Sequence, residues 1–170
     1  PTEVPASSYE VVVFENKFPS FRREPEAPAV SGSQLMPAAP SQGICEVVLY
    51  TDDHETTFAE LPLERIEGLV DVWADRYEEL GSREYVRYVL IFENKGESVG
   101  VTLDHPHGQI YAFPFIPPRA GRELESSSKY MAASGRCLLC DIMAEELRDG
   151  RRLVSESGDF VAFVPFYARY

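Results

Sequence analysis

From Pro62 onward, Ile66, Leu69, Val70, Trp73, Tyr77 and Leu80 recur at helical spacing, while Glu64, Glu67, Asp71 and Glu78 occupy the other faces. A long helix with a single apolar stripe is a core helix, and Trp73 is read as part of that packing rather than as a functional aromatic. Pro62 suits its first turn and Gly81 a C-terminal stop. Around it lie short runs rich in valine and aromatics: Tyr9 to Phe14, Cys45 to Thr51, Tyr85 to Phe92, Gly108 to Ile116 and Phe160 to Phe166. Each reads as a strand, with Pro114 marking an edge position or an early end. Further helical patterns cover Arg122 to Ala133 and Cys140 to Leu147, with Gly150 as a stop. The stretch from Arg22 to Gly43 carries Pro25, Pro28, Pro37 and Pro40 and reads as a long surface excursion. The expected class is α+β, an antiparallel sheet with helices packed on one face.

Length and charge then limit what such a fold does. At 170 residues there is room for one domain with a sizeable core and a fragment of a second. Tyr9 to Phe14 followed by Phe18-Pro19 is echoed by Phe160 to Phe166, so residues 1–134 are expected to form a first copy of the fold and residues 135–170 the start of a truncated second one; a chance match of two apolar strands is the open alternative. A net charge of -12 and a pI near 4.7 exclude broad neutralisation of a nucleic-acid backbone, which needs clustered Lys and Arg. A small anion would have to be held by local donors. No apolar run approaches the roughly 20 residues of a membrane span, no signal-peptide pattern opens the sequence, and three cysteines suit a reducing compartment. A cytoplasmic protein with neither nucleic-acid nor membrane partners is expected.

The chemistry concentrates in His105-Pro106-His107-Gly108-Gln109. In an extended segment alternate side chains share a face, so both imidazoles and the Gln109 amide are expected to project together, with Gly108 allowing a ligand to approach the chain closely. A neutral imidazole is both a nucleophile toward phosphorus and a metal ligand, and an amide donates to a phosphoryl oxygen as charge builds there. Surface histidines at a strand entrance are the bland alternative. Cys137-Leu138-Leu139-Cys140 has zinc-ligand spacing, while Cys45 reads as a small packed side chain.

The sequence resembles the galactose-1-phosphate uridylyltransferases of the histidine-triad superfamily over nearly its whole length. The resemblance is carried by Phe92-Glu93-Asn94-Lys95-Gly96, by His105-Pro106-His107-Gly108-Gln109-Ile110, and by the run from Cys45-Glu46-Val47-Val48 to Asp53-His54. It implies a histidine-triad-like α+β fold and a ping-pong transfer of a uridylyl group from UDP-glucose to galactose 1-phosphate. His107 would be the nucleophile and Gln109 would steady the phosphoryl oxygens. Asn16, Phe18, Phe92, Asn94, Gly100, Val101 and Thr102 fall where the family lines its nucleotide site; Thr102 keeps a hydroxyl where many members have Ser, and Lys17 departs from an acidic residue found in some.

His54 and His105 match two ligands of a structural zinc site whose other two, in the family, are an upstream cysteine pair outside this sequence. Completion by Cys137 and Cys140 is a rival on paper; that pair is rather expected to open the second repeat and serve a metal site of its own, with simple packing at a helix start as the alternative. Glu123 aligns with a carboxylate that binds a second metal in some members, a solvated helix-surface glutamate being the alternative. The family also implies a homodimer for the full-length form. A sugar-nucleotide hydrolase or phosphorylase using the same histidine, and a nucleotide-binding fragment without turnover, are the competing functional readings.

Overall fold

The computed structural model describes residue 4, residues 6–99, residue 101 and residues 105–168. Two compact units divide the chain, Pro1–Ile116 and Pro117–Tyr170. The helix over 118–134, which the sequence reading assigned to residues 1–134, therefore groups with the C-terminal unit.

In the first unit, β1 (Val12–Glu15), β2 (Ile44–Leu49), β3 (Tyr88–Phe92) and β4 (His107–Phe113) form one sheet in the order β1-β2-β4-β3, with every neighbouring pair antiparallel. The last strand in sequence is thus inserted between β2 and β3. Pro114 marks an early end rather than an edge, because β4 stops at Phe113 and pairs on both sides before the missing proline N–H matters.

Helix α1 (Leu63–Gly81) follows Pro62, which stands at the N-cap, while Ser82 and not Gly81 caps the far end. Its Leu69 and Leu80 join Ile44, Val48, Tyr50, Val89, Ile110 and Ala112 in one apolar core, with Trp73 and Ile66 packed at its margin. β4 shows the alternation that makes this possible: Gly108, Ile110 and Ala112 are buried, and His107, Gln109, Tyr111 and Phe113 are only partly so. The opposite face is aromatic, with Phe21 set edge-on against Phe113 at 5.2 Å and Phe92 against Tyr111 at 5.1 Å. Phe21 opens the long excursion that precedes β2, whose residues 24–41 are mostly exposed and irregular, as the prolines foretell.

The second unit holds α2 (Pro118–Ser134), α3 (Leu138–Asp149) and a hairpin of β5 (Leu153–Glu156) and β6 (Val161–Phe163). α2 starts four residues earlier than the periodicity indicates, since Pro118 sits at N1, where a proline costs nothing. α3 ends at Gly150 in the left-handed region, as its sequence suggests. The hairpin partner β5 has no counterpart in the sequence reading. Buried Glu146 accepts from Arg152 Nε (2.6 Å) and from the Phe166 amide (3.0 Å), tying α3 to the segment after β6.

Glu46 is the charged residue that the first unit's core must accommodate. It pairs with Ile110 in the β2–β4 ladder, its side chain is 6% exposed, and Arg76 of α1 meets it in a two-point bond, Nε to Oε2 at 2.9 Å and Nη2 to Oε1 at 2.6 Å. Arg76→Met leaves that carboxylate buried with, among the described residues, the Arg23 guanidinium 3.9 Å away as its remaining cation. Urea denaturation should show a loss of about 3 kcal/mol, and Glu46→Leu combined with Arg76→Met should recover most of it.

Candidate functional site

Antiparallel pairing brings the exit of β2 beside the entrance of β4, and the ladder continues past both strands through the Tyr50 N–H, which donates to the Pro106 carbonyl at 3.2 Å. Two histidines from distant stretches of sequence meet there. Nδ1 of His54 and Nδ1 of His105 are 2.8 Å apart, with ring centroids at 4.4 Å. His105 is 7% exposed, and Tyr9 Oη lies 3.1 Å from its Nε2. Burial first and the neighbouring His54 second push the His105 pKa below the ordinary imidazole range, against the pull of the Thr51 backbone carbonyl as an acceptor. The neutral ring so favoured is the form that ligates a metal.

His107 opens β4. Its Nδ1 is 2.7 Å from the carbonyl oxygen of His105. A carbonyl only accepts, so Nδ1 carries the proton and Nε2 keeps its lone pair. His105 and His107 therefore do different things despite their shared parity: one ring turns to His54, the other is oriented by the first one's backbone. Both line a cleft of about 190 Å³ together with Asn94, Lys95, Val101 and Thr57. The cleft pairs an imidazole oriented by a backbone carbonyl with a cation and an amide, a set suited to an anionic ligand.

Gln109 and Phe92 stand opposite each other across the β3–β4 ladder, one register step from His107 on its face. Asn16 and Phe18 lie elsewhere: the Asn16 amide donates to the Cys45 carbonyl, its side-chain oxygen accepts from the Phe18 N–H, and the Phe18 ring is 85% exposed. Leu49, the partner of His107, lies four steps along β2 from Cys45, a span of about 13 Å along the strand. Gly100 and Thr102 fall outside the described residues. Glu123 is exposed on α2 in the second unit and paired with Arg119 at 3.2 Å. Cys137 and Cys140 sit at the start of α3 in that unit. Among the described residues no three His, Cys, Asp or Glu side chains gather into a metal cluster. The donors that fit zinc are thus the two converging imidazole nitrogens, half of a four-ligand set.

Gly108 serves a purpose the sequence reading misassigned. The close approach it permits is that of the buried Tyr50 phenol: a Cβ there would meet Tyr50 Oη at 2.1 Å and the Phe92 carbonyl at 3.2 Å. Burial first and the nearby Glu93 carboxylate second raise the Tyr50 pKa far beyond the neutral range. The motif also gave no sign of Tyr9, Thr57 or Lys95 as neighbours of the histidines. Thr57 alone had a local signal, the Thr57-x-x-Glu60 pattern in which Glu60 Oε2 accepts from the Thr57 N–H at 2.9 Å and its hydroxyl at 2.8 Å.

Comparison with known proteins follows the same residues. The family model for the N-terminal domain of galactose-1-phosphate uridyl transferase matches residues 2–117. The galactose-1-phosphate uridylyltransferase of Thermotoga maritima is 43% identical over 164 residues, covering 95% of this chain and 50% of its own length. That of Streptomyces lividans is 42% identical over 163 residues, covering 96% and 41%. A solved uridylyltransferase structure superposes with a TM-score of 0.86 at 34% identity, over 94% of this chain and 50% of its own. The chain spans about half the length of the curated relatives it matches.

Two outcomes test this geometry. Gly108→Ala should cost roughly 1–3 kcal/mol in thermal or urea denaturation, because Tyr50 has nowhere to move, and the loss should shrink in a Tyr50→Phe background, which removes the nearest atom. Iodoacetamide near neutral pH should modify Cys137 first. Backbone and thiol hydrogen bonds from Cys140 lower its pKa, whereas Cys140 is raised by its bond to Cys137 and Cys45 by burial. Peptide mapping should find Cys45 labelled only after denaturation.

Proposed function

Because the chain belongs to the galactose-1-phosphate uridyl transferase family, we propose that it carries the nucleophilic half-site for moving a uridylyl group from UDP-glucose to galactose 1-phosphate. The observation that carries this reading is the 2.7 Å contact between His107 Nδ1 and the His105 carbonyl oxygen. It places the lone pair on Nε2 and gives the ring a fixed acceptor for the charge it gains on attack.

In the first displacement Nε2 of His107 attacks the α-phosphorus of UDP-glucose. An N–P bond forms, the P–O bond to the sugar phosphate breaks, and glucose 1-phosphate leaves with the electron pair. The ring becomes cationic, and its Nδ1–H bond to the His105 carbonyl strengthens accordingly. In the second displacement a phosphate oxygen of galactose 1-phosphate attacks the same phosphorus, and imidazole departs with its electron pair, regenerating the starting state. Gln109 donates to the phosphoryl oxygens, and Lys95 with Asn94 supplies the local attraction that a chain of net charge -12 lacks. The nucleoside would extend along the outer face of the sheet past Phe92 toward Asn16 and Phe18, with Gly100, Val101 and Thr102 completing its lining.

His54 and His105 are read as two ligands of a structural zinc ion, which would hold the entrance of β4 rigid and so hold the carbonyl that orients His107. The second unit, whose β6 echoes β1 in sequence, is read as the opening of a second copy of the fold, and the full-length form as a cytoplasmic homodimer.

Incubation with UDP-glucose without acceptor should add the mass of one uridylyl group through an acid-labile, base-stable bond, and peptide mapping should place it on His107. His107→Asn should abolish labelling without changing the far-ultraviolet circular dichroism, since the side chain lies outside the core. Labelling that persists in His107→Asn, or maps to His105, would overturn the mechanism.

A further inference from the structure

We infer that Tyr9 is a positioning residue for the His54–His105 pair, fixing the tautomer in which His105 presents Nδ1 to a metal; this rests on the reading of those two histidines as zinc ligands. A metal-bound imidazole commits one nitrogen to the ion and orients itself with the other, whose N–H needs an acceptor. His105 turns Nδ1 toward His54 at 2.8 Å and Nε2 toward Tyr9 Oη at 3.1 Å. Were His105 to ligate a metal through Nδ1, its proton would sit on Nε2, within reach of the phenol oxygen as acceptor.

The turn that carries His54 is itself held locally: Asp53 N–H donates to Thr51 Oγ1 at 3.2 Å and Glu55 N–H to Asp53 Oδ1 at 2.9 Å. Tyr9, in the segment before β1, reaches the second histidine. None of this is visible in sequence, where Tyr9 stands 96 residues from His105.

The test is zinc affinity of the protein measured by competition with a chromogenic chelator, alongside long-range nitrogen-15 NMR of the metal-free imidazoles. Tyr9→Phe should weaken zinc binding about tenfold, the lower end of such effects because the Thr51 backbone bond to His105 remains. Tyr9→Leu should weaken it equally. A role in packing alone predicts instead that Phe retains wild-type affinity and only Leu loses it, which would overturn the inference. In the metal-free protein the Nε2–H form of His105 should predominate and give way to a mixture in Tyr9→Phe; an unchanged tautomer would also overturn it. If wild-type protein takes up no zinc, the zinc reading fails separately, and the tautomer result still decides the part played by Tyr9.

Discussion

The register between β2 and β4 is the constraint on which the remainder depends. Leu49 faces His107 and Val48 faces Gly108. From that follow the seat of the Tyr50 phenol beneath a residue without a Cβ, the burial of Glu46 opposite Ile110 where Arg76 reaches it, and the meeting of His54 with His105 beyond the strand ends. A slip of one residue would exchange the faces of β4, sending His107 and Gln109 into the apolar core and Ile110 and Ala112 out of it. Position in the middle of the sheet makes such a slip expensive, because β4 is clamped by ladders on both edges.

The two faces of the sheet divide the work. The face toward α1 supplies cohesion through apolar burial and one two-point ion pair. The other keeps partly exposed aromatics beside His107 and Gln109, where a ligand can be reached. Tyr50 bridges the two: its ring packs in the core against Trp73 and Phe58, and its hydroxyl lies against Gly108 of β4. Chemistry on this scaffold is directed by backbone as much as by side chains, since the atom that sets the tautomer of His107 is a carbonyl of the strand entrance. Net charge works against an anionic ligand at long range, so recognition has to be local, and the cleft places Lys95 and Asn94 where they act at contact distance.

Sequence alone determined the motif and the identities of all the strands but β5 and of the three α-helices. The stripe from Ile66 to Leu80, the β-rich runs ending in polar or glycine residues, and the alternation around His107 follow from local periodicity, which a chain displays without any knowledge of its partners. The nucleophile candidate and the two metal-ligand candidates were read through family resemblance; that the His54 and His105 rings stand 2.8 Å apart is a fact of the tertiary structure. Tertiary structure decided the rest. It placed β4 in the centre of the sheet, gave Gly108 to Tyr50 rather than to a ligand, set Asn16 and Phe18 about 13 Å along the strand from His107, and laid Tyr9 on His105. These are contacts between residues tens of positions apart, fixed by strand pairing and close packing, and no local pattern encodes which distant side chain will fill a given gap.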